Sequence, residues 1–131
     1  MNRPVLQALV LADHIYRDML TGKGVIAGTF NSLKSVNFPT VFARTTFAYM
    51  SLTDFLGKVE LALRYVDLND HKVLMECPVK VESANKLGTV EVIVEVPQFP
   101  MPHPGPYAFD VVCNDELLGS LRIHVDQVLT A

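Results

Sequence analysis

The sequence predicts an all-β fold: one antiparallel sandwich of about seven to eight strands filling residues 1–131. Three observations lead there. Strand-forming residues dominate, with 18 Val, 4 Ile and 8 Thr against 9 Ala and 6 Glu, the reverse of a helical composition. Turn signals recur about every ten residues. Between them, apolar and polar side chains alternate with period two, as they do on a half-buried strand. Half of the 131 residues are apolar and 19% are charged, enough to close a core and too apolar for a disordered segment.

The first element is read over residues 5–17, where both parities are apolar. Thr21-Gly22-Lys23-Gly24 then supplies a hairpin connection to a second strand over residues 25–30. Gly28 inside that strand implies a bulge or a close backbone approach. Residues 31–39, with Asn, Ser and Pro, read as a loop, and residues 40–50 as one continuous third strand. Val59, Leu61, Leu63 and Tyr65 share a face of the strand over residues 58–68, opposite Lys58, Glu60 and Arg64. After the Asn69-Asp70 turn, Val73, Met75, Cys77, Val79 and Val81 face inward on the strand over residues 72–82. Pro78 cannot donate to a ladder and marks that strand as an edge or a bulge. Val90, Val92, Val94 and Val96 face inward over residues 89–97. Five of the eight prolines fall between Pro97 and Pro106, which predicts a stiff, extended crossover. Strands over residues 107–113 and 117–125 close the domain around the turn at Asn114-Asp115, and residues 126–131 form a tail. Strand, turn, strand, loop, strand, crossover and hairpin in this order fit a Greek key.

Gly105-Pro106-Tyr107-Ala108-Phe109 has the spacing of a tyrosine corner, the device with which immunoglobulin-like sandwiches pin the entry to the next-to-last strand. An ordinary inward Tyr after a proline turn is the alternative, and both are structural. The sandwich is accordingly expected to be immunoglobulin-like.

Several function classes lack their signatures. A net charge of −3 is unlike the basic face of a nucleic-acid binder. No run approaches the ~20 apolar residues of a membrane helix. The apolar stretch after Arg3-Pro4 meets Asp13-His14 at once, which favours a cytoplasmic first strand over a signal peptide. Phosphate-loop, nucleophile-elbow, zinc-protease and dinucleotide motifs are missing, so no catalytic residue is assigned and no enzymatic activity is expected. Cys77 and Cys113 are expected to be free, buried thiols. His14, His71, His103 and His124 are scattered, and Asp67 and Asp70 flank a turn, so neither a metal site nor any other cofactor is predicted. Asp13, Arg17, Asp18 and Lys23 gather near the first hairpin, where solvated turn charges are the simpler reading.

The opening, Leu11-Ala12-Asp13-His14-Ile15-Tyr16-Arg17 followed by Gly22-Lys23-Gly24-Val25-Ile26-Ala27-Gly28-Thr29-Phe30, resembles that of a bacterial family of small immunoglobulin-like β-sandwich proteins of unknown function. Pro104-Gly105-Pro106-Tyr107 and Asn114-Asp115-Glu116-Leu117 resemble the same family's closing hairpin. The resemblance implies the fold and brings no activity.

Residues 40–50 point furthest toward function. They carry one charge, Arg44, and are weakly polar on both parities. With Phe42, Arg44, Thr46, Ala48 and Met50 facing outward, they would form a partner surface suited to another protein or to a second copy of this chain. The expected function is therefore a non-catalytic interaction or structural module capable of self-association. A small-ligand or carbohydrate-binding sandwich is the alternative.

Overall fold

The computed structural model describes residues 3–129 and is built of strands. In chain order they are β1 (Val5–Arg17), β2 (Gly24–Thr29), β3 (Ser32–Ser35), β4 (Thr40–Phe42), β5 (Thr46–Thr53), β6 (Gly57–Asp67), β7 (Lys72–Ser83), β8 (Val90–Val96), β9 (Phe99–Met101), β10 (Gly105–Cys113) and β11 (Glu116–Gln127). One sheet has the order β2-β1-β5-β8 and the other β3-β11-β10-β6-β7, with β4 and β9 as a separate pair. Of the expected tail over residues 126–131, the first two residues continue β11, which runs to Gln127; the tail's last two residues lie outside the described ones.

The core lies between the two sheets. Leu11 from β1, Ala48, Met50 and Leu52 from β5, Leu61, Leu63 and Tyr65 from β6, Val96 from β8, Tyr107, Phe109 and Val111 from β10, and Ile123 and Val125 from β11 are all buried in one cluster. The alternation of β6 and β10 is thus realised as predicted. On β7, Val79 and Val81 are buried while Val73 is exposed, because the register slips between Tyr65 and Val66 of the facing strand. Val90, Val92 and Val94 are half-buried against the core.

Three departures from the sequence reading matter. Residues 40–50 are two strands, broken over residues 43–45: β4 pairs with β9 of the proline-rich crossover, and β5 lies between β1 and β8. The expected loop over residues 31–39 contains β3, which pairs in parallel with β11. The predicted outward stripe is also corrected. Thr46, Ala48 and Met50 are each 0% exposed, because the even parity of β5 faces the second sheet. A core filled with the rings of Tyr65, Phe99 and Phe109 takes small residues at positions 46 and 48. Phe47 and Tyr49 occupy the outer parity instead. Phe42 is half-buried on β4, and Arg44 is exposed in the break between β4 and β5.

Two glycines mark close approaches. Gly28 has a φ of +78°, and a β-carbon there would sit 2.7 Å from Asp13 Oδ2. A β-carbon on Gly119 of β11 would sit 2.5 Å from Leu6 Cδ2 of β1, so this glycine lets the two sheets touch.

Candidate functional site

The tyrosine corner is formed. The Tyr107 hydroxyl donates to the His103 carbonyl at 2.6 Å and accepts from the His103 amide at 3.3 Å. Both backbone polar groups of His103 are therefore held by one side chain. The Tyr107 ring stacks on Tyr65 with centroids 5.3 Å apart, and Tyr65 in turn meets Phe99 at 4.6 Å and Phe109 at 5.1 Å. Aromatic packing thus fixes the ring, the ring fixes the hydroxyl, and the hydroxyl fixes the backbone that carries His103.

The imidazole is held as tightly as its backbone. Nδ1 lies 2.8 Å from the Pro104 carbonyl, and Nε2 lies 2.6 Å from Asp67 Oδ2. A carbonyl can only accept, so Nδ1 carries a proton. The Pro104 carbonyl first, and the Asp67 hydrogen bond second, raise the His103 pKa above its ordinary value. Asp67, at the end of β6, is 2% exposed, and its other oxygen accepts the Asn69 amide at 3.0 Å. Asp70 completes the group: one ligand-type atom from each of Asp67, Asp70 and His103 lies within 4.8 Å of the others. One of the scattered histidines, His103, and the two turn aspartates therefore do converge here. Asp67 and His103 are 36 residues apart, and no short-range spacing could signal their meeting. The Gly-x-Tyr motif, which fixes the corner beside His103, was the one legible hint.

The tip of the β1–β2 hairpin is different in kind. Asp18 Oδ2 accepts the Thr21 amide at 2.9 Å and its hydroxyl at 2.8 Å, which holds the Asp18 carboxyl below its usual pKa range. The Asp18 amide donates to the Lys23 carbonyl and the Gly22 amide to the Asp18 carbonyl, both at 2.8 Å. This self-bonded loop leaves Met19 99% and Leu20 95% exposed. The charges read near this hairpin are engaged separately, and Arg17 also donates to the Gly22 carbonyl at 3.2 Å. Arg17 reaches Glu91 of β8 at 3.2 Å, Glu91 also accepts the Tyr49 hydroxyl, Asp13 lies against Gly28, and Asp18 caps its own turn.

An open groove of about 660 Å³ lies along β3 and β4, floored by Leu33, Val41, Phe42 and Met101 and edged by Lys34 and Arg44. Two of the sequence-predicted partner residues, Phe42 and Arg44, thus lie on this groove, away from the buried Thr46, Ala48 and Met50. Cys113 is a buried free thiol and Cys77 a half-buried one.

Two packed sheets, Greek-key order and a formed tyrosine corner define an immunoglobulin-like β-sandwich. Within that class the chain belongs to a family of unknown function, DUF6941, whose pattern it matches over residues 7–126. No curated protein matches it. Among solved structures it is similar to an immunoglobulin-like protein from Pseudomonas aeruginosa, with 15% identity, a TM-score of 0.43 and coverage of 94% of this chain and 96% of that one. It is also similar to part of a β-glucosidase from Listeria innocua solved with isofagomine, at 9% identity and a TM-score of 0.44, over 94% of this chain and 16% of that one.

Proposed function

We propose that this chain is a non-catalytic interaction module of a bacterial, cytoplasmic protein system, and that its partner is a second copy of itself. The observation carrying the reading is the hairpin tip. Met19 and Leu20 are neighbours and are almost wholly exposed on a loop whose backbone is ordered by its own hydrogen bonds. A pre-ordered apolar tip loses little entropy on docking, which favours its use as an anchor. The groove over Leu33, Val41 and Phe42, edged by Ser, Thr, Lys and Arg side chains, offers apolar contacts for such a tip on the same chain. Burying two side chains of this size stabilises a contact by about 1.5–3 kcal/mol each, so weak, concentration-dependent association is expected. No helix among the described residues is long and apolar enough to cross a membrane.

Light scattering coupled to size exclusion, run from micromolar to hundreds of micromolar, tests this. Wild type should gain mass with concentration, and Met19→Ser/Leu20→Ser should stay monomeric with an unchanged circular dichroism spectrum. A wild-type monomer throughout, or equal association by the variant, rejects the reading. A small-molecule or carbohydrate ligand is the second reading, favoured by the groove volume, which falls in the ordinary range for such sites. It would show as a saturable thermal shift that Val41→Glu removes.

A further inference from the structure

We propose that Asp67, Asp70 and His103 form a binding site for a divalent transition-metal cation, zinc foremost, at the tyrosine corner. The ligand set carries this. One imidazole nitrogen and two carboxylates are borderline-hard donors suited to zinc and its neighbours, whereas calcium and magnesium favour all-oxygen shells. Three protein ligands leave a fourth, open position facing solvent.

The surroundings match what a bound cation demands. A metal-ligating histidine normally donates its other ring N–H to a carbonyl or carboxylate, which sets the tautomer and the ring orientation. His103 Nδ1 is already committed to the Pro104 carbonyl at 2.8 Å, leaving Nε2 turned toward Asp67. The His103 backbone is clamped on both sides by the Tyr107 hydroxyl. Asp67 is nearly fully buried, so its oxygen is held in place. Exposed Asp70 can close on the ion from the solvent side.

A second, separate observation concerns Tyr65. Its hydroxyl is fully buried and has no hydrogen-bond partner among the described residues. An unsatisfied buried donor is costly, and this one lies on the same strand as Asp67, two residues before it.

Admission of the ion requires a small movement. Tetrahedral zinc with bonds of about 2.0 Å sets its ligand atoms about 3.3 Å apart, whereas Nε2 and Asp67 Oδ2 are 2.6 Å apart. The imidazole must release its Nε2 proton to solvent and withdraw by less than an ångström. The cation then replaces that proton as the positive charge between the two side chains.

Metal-stripped full-length protein titrated with zinc chloride by calorimetry, with melting followed in parallel, tests the site. One zinc per chain should bind and raise the melting temperature. Asp70→Asn, a surface change that leaves the His103–Asp67 pair intact, should weaken binding about tenfold or more without altering the melting temperature in chelator. His103→Gln should abolish binding. Cobalt should give visible absorption bands that zinc bleaches, and calcium should not compete. Absence of saturable zinc binding overturns the site, as does equal affinity in the Asp70→Asn and His103→Gln variants. Calcium binding that needs the aspartates and spares the histidine change overturns the choice of metal. None of these outcomes depends on the chain's oligomeric state.

Discussion

The tyrosine corner and the first hairpin tip are both loop structures at strand ends, and they are stabilised in opposite ways. At the corner, local bonds are backed by groups distant in sequence: Tyr107 by Tyr65, His103 by Asp67, Phe99 by Phe42. At the tip, residues 18–23 are ordered by hydrogen bonds among themselves, and their apolar side chains touch water. A loop tied into the core transmits any damage to the whole fold. A loop that is locally self-sufficient can change its side chains at little cost, which suits it to contact other molecules.

The largest effect should come from breaking the corner's packing. Phe109 is 0% exposed and shares ring contacts with Tyr65 and Phe99. Phe109→Ala should cost about 3–5 kcal/mol, read as a lowered urea midpoint with the denaturant slope retained. A loss below about 1 kcal/mol would show that the corner is not the structural anchor described.

Next is the hydroxyl alone. Tyr107→Phe keeps the ring and strips both His103 backbone groups of their partner, at about 1–3 kcal/mol for unsatisfied groups. The amide exchange of residues 103–106 should quicken more than that of the hairpin tip. Uniform acceleration would mean that the bond stabilises the fold without positioning the corner.

Smaller again is a pH effect. The His103 pKa is raised in the folded chain by the Pro104 carbonyl and by Asp67, with Asp70 also facing it. A group with a raised folded pKa contributes stability that is complete below its unfolded value, about 6.5, and is lost as pH rises through the folded value. In chelator, the wild-type advantage over His103→Gln should therefore shrink as pH climbs from about 6 toward 8. An advantage that grows with pH would reverse the assignment.

The smallest effect sharpens the other side of the comparison. Met19→Ser/Leu20→Ser should leave the melting temperature of dilute protein unchanged, within about 0.5 kcal/mol of wild type. A larger loss would mean that these side chains pack within the chain.

The same contrast explains what the sequence could reveal. Strands β6, β8 and β10 alternate over many residues beside a turn, so their inner faces were visible in the pattern. Tyr107 was visible because Gly105 and the ring obey a fixed local spacing. β3 and β9 are four and three residues long, too short for a period to show, and their partners lie far along the chain. The parity of β5 was hidden because both of its faces are apolar: Thr46, Ala48 and Met50 compete with Phe47 and Tyr49, and only the opposing sheet decides between them. The meeting of Asp67, Asp70 and His103 was invisible for a related reason. It depends on the crossover passing over the end of β6, which neither segment encodes alone.

Strand β7 has a further consequence. It is twelve residues long and lies at the end of its sheet, a ready template on which another chain could polymerise into cross-β fibrils. Pro78 sits mid-strand opposite Ala62 with no N–H to offer, and exposed Lys72, Glu76, Lys80 and Glu82 put alternating charges along the same edge. Such gatekeepers contribute little to folding free energy, and their value is colloidal. They set how concentrated the chain can become before growth at that edge competes with the native state. A Pro78→Val chain would therefore fold normally when dilute and be lost from solution on storage, a defect that no melting curve would reveal.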